Sequence, residues 1–303
     1  MENLDNLITE SQNENSKNID SLSTIDMVNI INSEDAKITE AIKKENINLA
    51  KAIDEISKRY INGGRIIYIG AGSSGRIGVL DAVELTPTYN VSPDKVFGII
   101  AGGKEAMYRA IEGAEDSKEL GKSDLIDCKL SILDTVIGIA ASGRTPYVLG
   151  GLEYAKEVGA LTIFIASNRN KDIEKVSDIA ITPIVGPEII SGSTRMKSGT
   201  AAKMIVNTIS TCVMIKSGMV YGNYMVNVLP TNKKLEARAI KMISSITGLN
   251  LEKSSKLFED SGKSVAVSII MSETSLNRDE AIRILRESNN NIRKAIKNIK
   301  INR

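Results

Sequence analysis

A turn rich in glycine and serine follows an unbroken apolar run, Ile66-Ile67-Tyr68-Ile69. The run is typical of a strand that is buried on both faces of a parallel sheet, and residues 77–85 are predicted to be helical. The turn between them, Gly70-Ala-Gly-Ser-Ser-Gly75, is called here the first loop. Its small residues let backbone N–H groups approach a ligand, and a helix N-terminus carries a partial positive charge. The first loop therefore predicts an anion site.

The first loop also matches the pattern G-x-G-x-x-G of dinucleotide-binding proteins. That function requires an acidic residue about 20 positions further on to bind a ribose. The next predicted strand, 96–101, ends instead in Gly102-Gly103. The hydroxyls of Ser73 and Ser74 suit a terminal phosphate with three exposed oxygens. A phosphorylated small molecule is the favoured ligand, and a dinucleotide or a purely structural turn are the alternatives.

A second loop, Ala141-Ser142-Gly143-Arg144-Thr145-Pro146, repeats this arrangement after the predicted strand 135–141. Hydroxyls and a helix N-terminus again follow a buried strand. Two such loops at one end of a sheet could hold one phosphate from both sides, although either alone could be an ordinary turn. Neither loop ends in G-K-[ST], so the sequence does not indicate a P-loop nucleoside triphosphatase.

A third loop, residues 185–200, leads into a long predicted helix, 199–218. It contains several hydroxyls and two cations, Arg195 and Lys197. A helix dipole disfavours positive charge at its N-terminus, and cations placed there often serve an anion. The alternative is a surface loop with solvated charges.

Carboxylates are the expected proton-transfer groups, because the sequence contains no histidine. Proton transfer then falls to carboxylates, Lys, Tyr, Cys or water. The candidates are Glu84 and Glu115, although a surface role is the commoner one for any single acid among 37. Glu84 stands among apolar residues before Pro87, and burial there would raise its pKa and suit it to act as an acid.

The elements that must position these residues alternate between strand and helix. Five strands are predicted at 65–70, 96–101, 135–141, 161–166 and 178–184, with helices at 33–60, 77–85, 104–113, 146–158 and 199–218. This order predicts an α/β fold with a doubly wound, parallel five-stranded sheet flanked by helices, and ligands bind outside the carboxyl ends of such strands. We expect an N-terminal arm (1–33) that is ordered only if it packs on something, a catalytic domain (34–230), and a small C-terminal appendage (231–303) of four short helices.

Composition indicates a globular protein. The chain is 42% hydrophobic and 25% charged, with a net charge of +2, which gives no case for nucleic acid or membrane as a partner. No apolar run approaches the ~20 residues that span a bilayer, and the acidic N-terminus is unlike a signal peptide. The two cysteines are isolated, so neither a disulfide framework nor a zinc cluster is indicated. A cytoplasmic location is expected.

Several segments together resemble the N-acetylmuramic acid 6-phosphate etherase family, namely 68–76, 81–84, 112–116, 138–150 and 192–200. The resemblance runs from about Leu22 through the C-terminus. Val83 and Leu85 flank Glu84 where relatives often carry Ser and Cys. The family's N-terminal Thr-Glu pattern is present at Thr9-Glu10, but the residues that follow match only loosely.

The resemblance implies a sugar isomerase (SIS) fold with a ubiquitin-associated-like appendage. It implies a lyase that converts N-acetylmuramic acid 6-phosphate and water to N-acetylglucosamine 6-phosphate and D-lactate, without metal, nucleotide or other cofactor. Glu84 would be the acid and Glu115 the base. The expected substrate-binding residues are Gly72, Ser73, Ser74, Arg76, Ser142, Gly143, Arg144, Thr145, Ser193, Thr194 and Arg195. A sugar-phosphate isomerase and a non-catalytic phosphosugar sensor are the rival functions.

The spacing of Ser74 and Glu84 adds an expectation about assembly. A straight helix rises about 1.5 Å per residue, which would place these residues roughly 15 Å apart. Either the helix breaks near Gly78, or Glu84 serves a phosphate held by a partner subunit. Because SIS relatives commonly dimerise, we favour a homodimer with shared active sites.

Overall fold

The computed structural model describes residues 8–169, 171–230 and 232–301. Contacts divide them into two compact units. The first contains the residues up to Val83 together with Pro93–Ser210, and the second contains Glu84–Ser92 and the residues from Thr211 onward. The domain boundaries expected at residues 33 and 230 stay a prediction.

The described residues of the first unit form a five-stranded parallel sheet. Its strands are β1 (Ile66–Gly70), β2 (Val96–Ile100), β3 (Thr135–Ile139), β4 (Leu161–Ile165) and β5 (Ile179–Ile181), in the order β2-β1-β3-β4-β5. Every residue of β1, β3 and β4 is buried, as their apolar runs predict. The predicted α/β sheet is therefore confirmed. The chain leaves β1 for β2 on one side and continues at β3 on the other, so the topological switch point lies between β1 and β3.

The helices that begin in the first unit are α1 (Thr24–Asp35), α2 (Lys37–Lys43), α3 (Asn46–Ile61), α4 (Gly72–Tyr89), α5 (Lys118–Asp127), α6 (Pro146–Val158), α7 (Lys171–Val176) and α8 (Lys197–Lys216). The single helix predicted at 33–60 is wrong, because the chain turns at Ala36 and again at residues 44–45. The predicted helix 104–113 is also wrong: 3-10 turns occupy Lys104–Met107 and Ala114–Asp116. Helix α1, which lies mostly in the expected arm, and helices α5 and α7 were not predicted.

Helix α4 starts earlier and ends later than predicted. It continues through Pro87, which lies two residues before its end, so only the last helical residues follow the position where proline lacks an N–H. The Thr88 hydroxyl donates to the Glu84 carbonyl at 2.7 Å within this turn. The helix is unbroken at Gly78, so the first of the two expectations about Glu84 is wrong.

The described residues of the second unit form five further helices, α9 (Lys233–Thr247), α10 (Leu251–Asp260), α11 (Val265–Thr274), α12 (Arg278–Glu287) and α13 (Ile292–Ile301). Four were predicted; the four breaks between residues 248 and 291 separate five segments. Asn250, Ser264 and Asn277 cap three of them by accepting a backbone N–H. Phe258, Ile269 and Ile270 are fully buried in this unit's core. Among the described helices, none combines the length and apolarity that crossing a membrane requires.

Candidate active site

The first loop is shaped by close approach between β1 and α4. A Cβ on Gly70 would lie 2.7 Å from the Gly75 nitrogen, and a Cβ on Gly75 would lie 2.6 Å from Ile100 Cγ1. Gly72 has a φ of +52°, a left-handed conformation that glycine adopts without strain. Helix α4 therefore starts directly at the end of β1. This places Ser73 and Ser74, both partly exposed, in the first turn of the helix.

The second loop places two hydroxyls at the end of β3. The Ser142 hydroxyl accepts the Arg144 N–H at 3.2 Å, and buried Gly143 has a φ of +72°. Thr145 is the N-cap of α6, but within the part of the chain that the structure describes its side chain makes no capping hydrogen bond. Its part in binding a ligand stays a prediction.

The first two loops lie side by side, because β1 pairs directly with β3 and Gly70 is opposite Ile139. Ser74 and Ala141, from the two loops, line one small recess at the carboxyl edge of the sheet. The sequence prediction that both loops meet at this edge is thus confirmed by the strand order. Such an edge, with hydroxyls and two helix N-termini converging at the switch point, can hold a phosphate.

Sequence reasoning missed two serines of that recess, Ser167 and Ser198. Ser198 lies in the first turn of α8, and its buried hydroxyl has no hydrogen-bond partner among the described residues. An orphaned buried hydroxyl is uncommon and marks a place where a polar ligand atom or water fits. Its presence in a loop already rich in hydroxyls was the available signal.

The third loop is held by buried carboxylates. Fully buried Glu188 accepts the backbone N–H groups of Lys197 and Ser198, each at 2.9 Å, and so caps α8. The Lys197 ammonium is also fully buried and lies 2.7 Å from Glu34 Oε2. Of the two cations expected to serve an anion, Lys197 has an internal one, the Glu34 carboxylate.

Three predicted ligand residues precede α8. Ser193 and Thr194 are partly exposed, and Arg195 is exposed. Their turn is fixed by backbone hydrogen bonds, from the Ser193 N–H to Ile190 at 2.9 Å and from the Gly199 N–H to Thr194 at 3.0 Å. Their part in binding stays a prediction.

The Arg76 side chain makes hydrogen bonds to the protein backbone beside the site. Its guanidinium donates to the carbonyls of Met107 and Arg109, at 3.2 and 3.1 Å. These carbonyls belong to the segment between β2 and α5, which also carries Glu115. Arg76 therefore fixes the path of the segment that carries Glu115.

The two candidate carboxylates are solvent-exposed in this chain. Glu84 lies on α4 and Glu115 in the 3-10 turn before α5. The expectation that apolar neighbours bury Glu84 is wrong: its side chain, like that of Val83, points to solvent. Exposure of an acid on this helix leaves it available to a second molecule.

A buried carboxyl that the sequence reasoning did not single out is Asp81, also on α4. It accepts from the Tyr68 hydroxyl at 2.8 Å and from Ser210 at 3.3 Å, and Lys203 lies 3.8 Å away. Burial raises the pKa of Asp81, although these partners oppose the rise. The contacts tie the middle of α4 to β1 and α8. No group of three His, Cys, Asp or Glu side chains in the described ranges could hold a metal ion.

Comparisons with known proteins agree with this geometry. Residues 48–156 match the model for the glucokinase regulatory protein N-terminal SIS domain, and residues 129–211 match the SIS domain model. The N-acetylmuramic acid 6-phosphate etherase of Lactobacillus johnsonii is 53% identical over 98% of this chain and 99% of its own. Proteins of the same name from Clostridium botulinum strain Loch Maree and Lactobacillus acidophilus are 52% and 51% identical, over 98% and 97% of this chain and 98% of each relative.

These matches cover 97% or more of the chain, so they extend over both units. With the sheet order and the paired hydroxyl loops, they settle the assignment. The chain belongs to the N-acetylmuramic acid 6-phosphate etherase family.

Proposed function

We propose that this protein cleaves the D-lactyl ether of N-acetylmuramic acid 6-phosphate, giving N-acetylglucosamine 6-phosphate and D-lactate, in the recycling of cell-wall amino sugars. The observation that carries the proposal is the pair of hydroxyl-bearing loops at the adjacent ends of β1 and β3, in a chain whose relatives bear the etherase name. Ser73, Ser74, Ser142 and Thr145 hold the 6-phosphate. Gly72, Gly143, Arg144, Ser193, Thr194 and Arg195 complete the proposed binding set, and Arg76, first expected to bind substrate, instead positions the segment that carries Glu115.

The test is direct. The purified chain is incubated with N-acetylmuramic acid 6-phosphate, and D-lactate is measured without added metal, nucleotide or other cofactor. We expect stoichiometric lactate release, and none from the unphosphorylated sugar at the same concentration. A folded protein that releases no lactate would refute the function.

Two carboxylates are sufficient for the proposed chemistry. Ring opening exposes the C1 aldehyde, which makes the C2 proton abstractable. Glu115 removes that proton, the C3–O bond breaks, and Glu84 protonates the departing lactyl oxygen. Water then adds at C3 of the unsaturated intermediate, and C2 regains a proton. No step requires an imidazole, which agrees with a sequence that lacks histidine.

A sugar-phosphate isomerase is the second candidate, favoured by the SIS domain match. It would move a proton between C1 and C2 and leave the lactyl ether intact. The same incubation separates the two functions, because an isomerase would leave the ether bond intact and release no lactate.

The proposal includes a homodimer with shared active sites. Glu84 follows Ser74 by about 15 Å along an unbroken helix, at about 1.5 Å per residue, and its carboxylate is exposed. One hexose phosphate does not comfortably span that distance from its phosphate to C3. A two-fold contact would bring the acid of each subunit to the loops of the other.

Mixed subunits test this arrangement. Glu84→Gln chains and Ser142→Ala chains are dissociated, mixed and reassociated. Shared sites would give one intact site per mixed dimer, so that activity exceeds the sum of the two parents. Activity equal to that sum, with reassociation demonstrated, would place the whole site in one chain.

The proposed location is the cytoplasm. A sugar phosphate carries charge that is costly to transfer into a bilayer, so it stays in the compartment where it is formed. The proposed partner is the phosphosugar alone, with neither nucleic acid nor membrane.

A further inference from the structure

We propose that Thr9 and Asn168 are positioning residues of the phosphate site. Residues 8–16, called here the arm segment, include Thr9. Together with Asn168, the arm segment connects the second loop to the third. The arm segment contains the 3-10 turns Ile8–Glu10 and Glu14–Ser16. Neither residue belongs to the predicted binding set. The inference rests on the proposed function for its kinetic measurement and on ligand binding for an independent one.

Asn168 is the connection to the second loop. It lies three residues beyond β4, at the carboxyl edge of the sheet, and is 3% exposed. Its Nδ2 donates at 3.1 Å to the carbonyl of Ala141, the residue immediately before Ser142. The same nitrogen donates at 3.1 Å to the Thr9 hydroxyl, and Oδ1 accepts the Ile8 N–H at 3.0 Å. One buried carboxamide therefore bonds both to the second loop and to the arm.

Thr9 is the connection to the third loop. Its side chain is fully buried, and its carbonyl accepts the Gly192 N–H at 3.2 Å. Gly192 has a φ of +77°, and a Cβ there would lie 3.1 Å from the Glu10 carboxylate. The bare, left-handed backbone of Gly192 lets the arm approach this closely. Ser193 and Thr194 follow directly, so the contact fixes the beginning of the hydroxyl-bearing turn.

Two further contacts fasten the rest of the arm segment to the third loop. Asn13 Nδ2 donates to the Pro187 carbonyl at 3.0 Å, and the Ser16 hydroxyl donates to the Ile189 carbonyl at 2.6 Å. A continuous path of hydrogen bonds thus runs from Ala141 through Asn168 and Thr9 to Gly192. The local hydrogen bonds of the arm segment, such as Ser16 N–H to the Asn13 carbonyl at 3.1 Å, close only single turns, so its position along this path depends on the long-range contacts.

The connection should affect binding more than chemistry. A site whose loops reach their binding arrangement only part of the time has an apparent dissociation constant raised by that fraction. Saturating substrate restores the arrangement, so KM rises while kcat changes little. A residue that contributed only to folding would lower stability and leave the KM of the folded enzyme unchanged.

The experiment compares Asn168→Ala, Thr9→Val and Thr9→Ser with wild type and with Ser21→Ala. Ser21 is an exposed arm residue whose hydroxyl bonds only locally, to the Asn18 carbonyl at 2.8 Å, and it serves as the matched control. For Asn168→Ala we expect KM for N-acetylmuramic acid 6-phosphate to rise about tenfold, or about 1.4 kcal/mol, with kcat within about twofold. Thr9→Val should raise KM about threefold, because it removes one hydrogen-bond acceptor at constant shape. Thr9→Ser should restore the wild-type KM.

Calorimetric titration with N-acetylglucosamine 6-phosphate gives the second measurement, with circular dichroism to verify folding. Its dissociation constant should rise in Asn168→Ala and Thr9→Val by the same factors as KM. Unchanged KM and dissociation constants in folded Thr9→Val and Asn168→Ala would overturn the proposal, as would a fall in kcat alone. If wild type binds the sugar phosphate yet releases no lactate, the proposed function fails while the titration still decides the positioning role.

Discussion

Lys197→Met measures how strongly a buried ion pair stabilises the third loop. The Lys197 ammonium lies 2.7 Å from Glu34, whose carboxylate also accepts from Lys37 at 2.5 Å and from Asn15 at 2.7 Å. Burial by itself would raise the pKa of Glu34. The hydrogen bonds from Lys197, Lys37 and Asn15 outweigh burial and hold its pKa at about 2. The carboxylate therefore stabilises the fold only while it is ionised.

The size of the effect follows from this pKa. A change from the ordinary 4.5 to about 2 corresponds to about 3 kcal/mol, at about 1.4 kcal/mol per pH unit. Because the folded pKa is depressed, this stability is present above pH 4.5 and is lost as the pH falls from 4.5 towards 2. Removing one partner of a buried pair costs about 3–5 kcal/mol. We expect Lys197→Met to lose about 3 kcal/mol at pH 7.

Urea unfolding at pH 7, 5, 4 and 3, at one protein concentration, gives the free energy of unfolding. The loss of unfolding free energy relative to wild type should shrink below pH 4.5, because the Glu34 carboxyl, which lacks its Lys197 partner in the variant, can take up a proton. Lys43→Met is the matched control: its pair with Glu40 spans 3.9 Å with both side chains about 70% exposed, so the change should stay under about 0.5 kcal/mol. A loss below about 1 kcal/mol at pH 7, or one that is constant from pH 7 to pH 3, would refute the reasoning.

Three changes at the site make further predictions. Ser142→Ala should weaken binding of the phosphorylated sugar by about 1.5–3 kcal/mol and that of the unphosphorylated sugar much less; equal weakening in a titration would move the phosphate elsewhere. Glu115→Gln should abolish exchange of the substrate C2 proton with deuterated water, whereas Glu84→Gln should block lactate release and retain some exchange; the opposite pattern, seen by NMR, would exchange their roles. Arg76→Gln should lower kcat about tenfold with KM nearly unchanged, because the segment that carries Glu115 loses its position; a rise in KM alone, in steady-state kinetics, would instead make Arg76 a substrate ligand.

The sheet was predictable because its strands are short apolar runs, three of them (β1, β3 and β4) buried throughout, and local sequence alone carries this pattern. The segment after β2 was not. Residues 104–113 have helical composition, yet Gly102 and Gly103 have φ values of +86° and +68°, and the Met107 and Arg109 carbonyls bond to Arg76 rather than along a helix. A partner more than 30 residues distant overrides local propensity here.

Large separation along the sequence also explains which residues were missed at the site. The first two loops were found because each has its hydroxyls and its helix start within six residues. The anion that Lys197 serves was not identified because this partner, Glu34, is 163 residues away. Asn168 was missed because the arm residue it contacts, Thr9, is 159 residues away. A lone asparagine or lysine gives no local sign of such a partner.

The three loops are held by different interactions, so a change in pH should affect them differently. Close backbone packing at Gly70 and Gly75 fixes the first loop, and neither pH nor salt alters it. Neutral hydrogen bonds through Asn168 fix the second. The third depends on two buried carboxylates: Glu188 accepts backbone N–H groups at the start of α8, and ionised Glu34 pairs with Lys197. Acidification therefore acts first on the third loop: between pH 4.5 and 2 it removes the contribution of Glu34 while the β1 and β3 turns retain theirs.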